Sequence, residues 1–351
     1  MRFFQSFIRE LLDEGHTVDI ATNEHDSKVP ACYREWGCTV YPIHTSRSPL
    51  NRGNVKAIKQ IKQLVKEQQY DLVHCHTPIA AMCTRLACRK ARKKGTRVFY
   101  TAHGFHFYTG APLKNWLMYY PVEKLCARWT DVLITINEED YARAQKKMKA
   151  KRVEYVPGVG IDLNKFAQNA ADKSEKRKEL GIPEDATLLL SVGELNENKN
   201  HETVIRAIAD LDVYYVIAGR GGLQEHLQAV IDEMGMTHRV KLLGFRTDVA
   251  ELYCAADAYI LPSHREGLNV SIMEAMASGL PVLCSRIRGN TDLISSEGGM
   301  LFDSHRVDEC RAAIEAVTAS DRGTLGAHNA EKVRRFSLAE VNRQMFELIQ
   351  G

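Results

Sequence analysis

Glu266 and Glu274 stand on either side of a strand-to-helix turn with seven residues between them. The apolar run before them ends at Pro262, a loop carries Glu266 and Gly267, Asn269 is placed to cap a helix, and Gly279-Leu280-Pro281 stops that helix before the next strand. Backbone N–H groups of Leu268, Asn269 and Val270 then form an anion site at the helix start. Glu266 in the loop and Glu274 one turn into the helix reach different parts of one ligand. The bland alternative is a loop carboxylate and a helix carboxylate that pair with arginines. Lys199 ends a flexible stem after another strand, where its ammonium can follow a diphosphate as charge builds on it; a solvated surface lysine is the alternative. His74 and His76 alternate on one strand face, but a metal needs a third ligand of known position, so a polar pair lining a cleft near an acceptor is the better reading. Asp210-Leu211-Asp212 has a metal-binding spacing but falls between a helix and a strand start, where turn chemistry explains it.

These residues need strands that end at one edge. Apolar, β-branched runs occur at Thr17–Thr22, Asp71–His76, Arg97–Ala102, Asp131–Ile136, Thr187–Val192, Val213–Ala218, Arg239–Leu243, Asp257–Leu261 and Pro281–Ser285. Helical patterns such as Val55–Lys66, Ala80–Lys94 and Leu223–Met234 alternate with them, the signature of an α/β protein with parallel sheets covered on both faces. Two series are separated by the polar stretch Val156–Gly160 and the charged segment Asp172–Glu179. The reading is two doubly wound domains, residues 1–158 and 159–329, with a last helix in 330–351 that packs on either half. Ligands of such sheets bind at the carboxyl ends of the strands, and tandem sheets place one in the cleft between them.

The chain has 351 residues, 44% hydrophobic and 26% charged, which excludes a disordered or collagen-like protein. No apolar run reaches the roughly 18 residues of a membrane span, and the N-terminus lacks the pattern of a signal peptide. Nine cysteines without Cys-x-x-Cys spacing read as reduced thiols, so a cytoplasmic location is expected. Residues 1–160 carry 26 Lys and Arg against 15 Asp and Glu, a balance of +11; the rest carries 21 against 29, a balance of −8. A basic half suggests an anionic partner. Lys56, Lys59, Lys62 and Lys66 fall on one side of a helix, and Arg89–Lys94 adds a basic run. Their readings are attraction to anionic lipid at a membrane surface or a solvated helix face. Trp116, Leu117, Met118, Tyr119, Tyr120 and Trp129 are either core or a seat for a lipid tail.

The Leu261–Val282 segment resembles the Glu-x7-Glu signature of retaining glycosyltransferases of family 4, whose GT-B fold is two Rossmann-like domains facing a cleft. The resemblance extends over nearly the whole chain: the Ser191–His201 loop with Gly193 and Lys199, Ile217–Gly221, Leu243–Val249, and Thr101-Ala102-His103-Gly104-Phe105-His106 in the basic half. Within the family, capsular and exopolysaccharide enzymes that extend a lipid-linked sugar are the most similar. The resemblance implies a UDP-sugar donor, a lipid-linked glycan acceptor, work at the inner face of the plasma membrane, neither metal nor cofactor, and no nucleic-acid partner. By position it assigns Lys199 to the diphosphate, Glu274 to the ribose hydroxyls, Glu266 to the transferred sugar and His103 to the donor sugar, with Arg246 either beside the uracil or facing solvent. Many members place an arginine directly after the loop glycine, where this chain has Glu194. Either Arg220 or Arg265 substitutes or the phosphates are held more weakly.

Two rival functions follow from the same residues: a nucleotide-sugar epimerase of this fold, and a degenerate, non-catalytic sugar-nucleotide-binding protein. One further expectation concerns the first domain, which should open with an apolar strand but begins with the helix Phe3–Leu12. A strand, with about twenty residues, is expected to be missing, leaving Thr17–Thr22 and Asp71–His76 about two strand spacings (near 9.6 Å) apart, and the native protein is expected to be longer.

Overall fold

The computed structural model describes residues 4–23, 29–46, 48–49, 51–166 and 173–351. It divides into two compact units, residues 1–160 with 341–351, and residues 161–340. Among the described residues twelve strands run in chain order: β1 Asp19–Thr22, β2 Thr39–Pro42, β3 Leu72–His76, β4 Arg97–Ala102, β5 Val132–Thr135, β6 Arg152–Tyr155, β7 Thr187–Val192, β8 Val213–Ala218, β9 Val240–Gly244, β10 Ala258–Leu261, β11 Val282–Ser285 and β12 Gly299–Phe302. All of their pairings are parallel.

In the second unit six strands take the order β12-β11-β10-β7-β8-β9. The chain winds outward one way from β7 and then returns to β10 on its other side, so β7 and β10 flank the topological switch point. One apolar cluster, including Leu189, Tyr215, Ile217, Ile260 and Phe302, packs with Val204, Ile205, Leu227, Ile231 and Ile314 of the helices.

The first unit has two separate sheets, β1-β2 and β3-β4-β5-β6. Among the described residues no ladder joins β1 to β3, although the Tyr70 hydroxyl beside β3 donates to Asp19 of β1 at 2.5 Å. The small sheet keeps its own cluster of Ile8, Ile20, Val29, Tyr33 and Cys38. The last expected helix is two: Arg322–Lys332 stays with the second unit, a 3-10 turn Val333–Phe336 follows, and Leu338–Gln350 buries Val341 and Met345 with Phe7, Phe99, Val132 and Ile134 of the first. Likewise Ala80–Lys94 is broken at Cys88 into Pro78–Ala87 and Arg89–Arg92.

The two units share one device. Asp131, just before β5, donates its N–H to the Val98 carbonyl of β4 at 2.7 Å, and its carboxylate accepts the Val98 N–H at 2.9 Å and pairs with Arg92 at 2.8 Å. Asp257, just before β10, does the same with Leu188 of β7 at 2.8 Å and Arg177 at 2.6 Å. Burial opposes charge on both carboxyls; the cations and amides outweigh it and hold both below their ordinary range. All nine cysteines are free thiols. Among the described residues no helix is long and apolar enough to cross a membrane.

Candidate active site

The loops after β7 and β10 emerge on either side of the switch point and are stitched together. The His264 N–H donates to the Asn198 carbonyl at 2.8 Å, and the Asn198 amide donates to the Arg265 carbonyl at 3.0 Å. Asn200, at φ 54°, reaches the Ser304 carbonyl at 2.8 Å. Lys199 and Glu266, one from each loop, meet at 2.7 Å between Nζ and Oε1, both largely but not wholly buried. The lysine stem runs over Gly193, where a Cβ would sit 3.3 Å from Lys199 Cε. Gly219 is required for closer reasons: a Cβ there would lie 1.7 Å from the Gly193 carbonyl oxygen.

The Asn269 side chain accepts the Ile272 N–H at 3.1 Å and so caps the helix Val270–Ala277. Ser271 and Tyr259 extend that cap through hydroxyl bonds of 2.7 and 2.6 Å. Leu268 and Asn269 are buried, while Gly267 sits against Gly289, where a Cβ would come 2.1 Å from the Gly267 carbonyl oxygen. Glu274 accepts a bond from the Tyr253 hydroxyl at 3.0 Å, and burial pushes its carboxyl above the ordinary glutamate value. A half-satisfied, desolvated carboxylate suits a hydroxyl-rich ligand that supplies donors. Arg246 is otherwise engaged: it pairs with Asp248 and, at 2.8 Å, with Glu179, after the edge strand β9 and two strands from β7. Both arginine and Asp248 are held in their charged forms by that contact. Sequence reasoning missed Arg288, whose Nε donates to the Glu266 carbonyl at 3.2 Å, and Tyr253 and Tyr259, whose hydroxyls act only once the strands are paired.

In the first unit His103 follows β4, and its Nε2 lies 3.1 Å from His76 Nδ1. His76 packs between His74 (centroids 4.2 Å) and Phe4 (4.4 Å) with the rings tilted by 45° and 38°, and His74 Nε2 lies 2.8 Å from the Thr101 hydroxyl. Burial lowers His74 to about 3, with His103 adding to it, and lowers His103 to about 4; His76 is also far below its ordinary value. The three imidazoles are therefore neutral at pH 7, and one nitrogen of the His76–His103 pair donates while the other accepts. Thus His74 and His76, expected toward an acceptor, are brought together with His103. Asp140, fully buried at the start of the helix Glu138–Lys147, accepts the Phe105 N–H at 2.8 Å and fixes the loop behind His103. Among the described residues no group of three or more His, Cys, Asp or Glu side chains is arranged to hold a metal ion, the His74–His76–His103 cluster included.

Residues 172–334 match the family model described as glycosyl transferases group 1, and residues 2–137 match glycosyl transferase 4-like. The chain is 39% identical over 270 residues to "Putative glycosyltransferase EpsD" of Bacillus subtilis (strain 168), covering 75% of this chain and 71% of that protein. The chain belongs to glycosyltransferase family 4. A second relative of this glycosyltransferase, 31% identical over 282 residues (76% and 72% of the two chains), is the Escherichia coli UDP-Gal:alpha-D-GlcNAc-diphosphoundecaprenol alpha-1,3-galactosyltransferase. Among solved structures, Anabaena HepE in complex with UDP superposes with a TM-score of 0.77 at 22% identity, covering 91% of this chain and 88% of that one. Sucrose-phosphate synthase of Thermosynechococcus elongatus gives 0.80 at 21%, covering 99% and 92%. Those likenesses give the glycosyltransferase its GT-B fold of two Rossmann-like units.

Proposed function

We propose that this glycosyltransferase moves a sugar from a UDP-sugar to a hydroxyl of a lipid-linked glycan with retention at the anomeric carbon, in the assembly of a capsular or exopolysaccharide. The observation that carries the reading is the Lys199–Glu266 pair at the β7/β10 switch point, beside the capped helix that holds Glu274. Lys199 and the amides of Leu268, Asn269 and Val270 take the diphosphate charge, Glu274 the ribose hydroxyls, Glu266 the sugar, and His103 donates or accepts at the sugar as a neutral imidazole. His74 and His76 stay on the acceptor side as the support of His103. Arg246 serves the Asp248 and Glu179 cluster rather than the base.

The reading needs no cofactor, since the nucleotide-sugar is a substrate, and no metal. The leaving phosphate oxygen takes the proton of the incoming hydroxyl on the same face while the C1–O bond to phosphate breaks and the new C1–O bond forms. The protein's share is to position the reactants and to stabilise charge building on the phosphate. The named substrates of the Escherichia coli relative support a lipid-diphosphate acceptor and a UDP-linked hexose. Such an acceptor puts the reaction at the inner face of the plasma membrane.

A panel of UDP-sugars screened for thermal stabilisation, followed by transfer of the best one to a lipid-diphosphate-linked GlcNAc, tests the reading. An α-linked product from an α-configured donor is expected. Conversion of the donor to an epimer without acceptor would show the epimerase, an inverted product would end the retention claim, and binding without turnover would show a non-catalytic protein.

A further inference from the structure

The helix Leu113–Cys126 is apolar on two sides. Its inner side places Trp116, Tyr119, Tyr120, Val122 and Cys126 in the cores of the first unit. Its other side presents Leu113, Leu117, Met118 and Leu125, with 72%, 70%, 42% and 47% of their surface open, and Pro121 is exposed between them. Those four are the majority of the seven large apolar side chains exposed among the described residues. A helix apolar all round is ordinarily covered all round. Here one stripe, Leu113, Leu117, Pro121 and Leu125 at i, i+4, i+8 and i+12 with Met118 beside it, is left open by the described residues.

The same exposed face carries basic residues that interrupt the stripe. Lys114, Lys124 and Arg128 are exposed along it. Arg89 lies over the Trp129 ring at 4.2 Å, and Arg92 reaches the Arg128 carbonyl at 3.4 Å, so the run Arg89–Lys94 sits at the stripe's carboxyl end. Glu123, the only acid of the helix, is buried against Arg85 at 2.8 Å and takes no part in the outer face.

We propose that the Leu113–Cys126 helix docks the protein on an anionic lipid bilayer, with the leucine stripe in the acyl boundary and the lysines and arginines among the headgroups. Its 14 residues span about 21 Å, too short for a hydrocarbon core of about 30 Å, so it lies in the plane of the interface. Apolar insertion and a basic cluster are the two signals that together give stable interfacial binding. A second copy of the chain is a poorer occupant, because pairing the stripes would bring two basic faces together. The lysine face of Gly53–Gln68 differs: it buries Ala57, Ile61 and Val65, exposes Lys56, Lys59, Lys62 and Lys66, and has only Val55 as an exposed large apolar neighbour. It contributes long-range attraction without insertion. The proposal does not rest on the sugar-transfer reading.

The test is sedimentation of the full chain with phosphatidylglycerol-containing and pure phosphatidylcholine vesicles, with no sugar donor present. The comparison is between the variant L113S/L117S/L125S, whose positions are exposed, and K56Q/K59Q/K62Q, both checked by circular dichroism and melting. Wild type is expected on anionic vesicles, with a fraction that survives about 1 M salt, where the screening length is about 3 Å. The leucine variant is expected to bind at least about tenfold more weakly and to lose that fraction. The lysine variant is expected to lose only salt-sensitive binding. The proposal is overturned if wild type does not bind, if the leucine variant binds like wild type, if the lysine variant loses more than the leucine variant, or if the leucines instead hold a dimer that ignores vesicles. Failure of sugar transfer with intact vesicle binding would count against the proposed function alone.

Discussion

The second unit holds its candidate residues with charge and backbone, whereas the first holds its own with neutral rings. Around β7 and β10 the functional side chains come from two loops joined by hydrogen bonds from amide N–H groups to backbone carbonyls, and an ammonium and a carboxylate already face each other there. Around β3 and β4 three uncharged imidazoles and Phe4 pack as one cluster of tilted rings, and His103 is oriented by its ring-to-ring hydrogen bond with His76. A diphosphate needs a cation that can move toward growing charge, and a sugar face needs a neutral, directional donor and acceptor. The contrast predicts that the two regions fail differently.

The largest expected effect is on turnover: Lys199→Ala should lower sugar transfer by about 10²–10³-fold, the scale of a lost charge-stabilising donor, and should abolish thermal stabilisation by UDP while the fold persists. Normal UDP stabilisation would break the donor half of the comparison. Next is stability in the first unit. Glu123→Leu leaves Arg85, whose side chain is fully buried, without its partner and should cost about 3–5 kcal/mol in denaturant unfolding; the double replacement Glu123→Leu with Arg85→Met should recover most of it. Gly219→Ala forces the two glycine loops apart and should cost about 1–3 kcal/mol together with UDP affinity, an effect that Gly222→Ala, with open space around it, should not reproduce.

Two smaller effects sharpen the picture. Glu266→Gln frees Lys199, so UDP, which has no sugar, should bind a few-fold more tightly by calorimetry even as transfer falls; weaker UDP binding would show that Glu266 serves the nucleotide. The imidazole cluster sets a pH window. Because His74 and His103 are lowered from 6.5 to about 3 and about 4, the unfolded chain takes up their protons first as pH falls. Their contribution is whole above pH 6.5 and is lost progressively below it. The melting temperature should therefore begin to fall in the range from 6.5 to 4, above the region where Asp131 and Asp257 protonate, and His74→Leu should flatten that decline.

How far residues could be read without coordinates follows the same divide. The run from Pro262 to Pro281 is one strand end, one loop and one helix, so Asn269 as cap and Glu266 and Glu274 on two sides of the turn were readable from local pattern, and the structure keeps that order. The strands missed, β2, β6 and β12, are all sheet edges of four residues. Edge strands are covered on fewer sides, carry Pro42, Arg152, Glu154 or Gly299, and so lose the apolar alternation that marks a strand. The break at Ser337 was missed because helical periodicity continues across it.

Neighbours along the chain decide the strand–helix rhythm, the glycines at tight turns, the motif after β10 and the basic first half, and these are legible from residue order alone. The remaining features join residues far apart in the chain. Lys199 meets Glu266 because the strand order sets β7 beside β10. His76 meets His103 because β3 and β4 pair in the register His76 with Thr101. Arg246 is committed to Glu179 across 67 residues, the last helix joins the first unit, and the Leu113–Cys126 helix keeps one apolar side uncovered. The physical reason is that pattern records how apolar a position is, whereas partnership depends on strand order and register, which the chain settles only by burying its whole core at once.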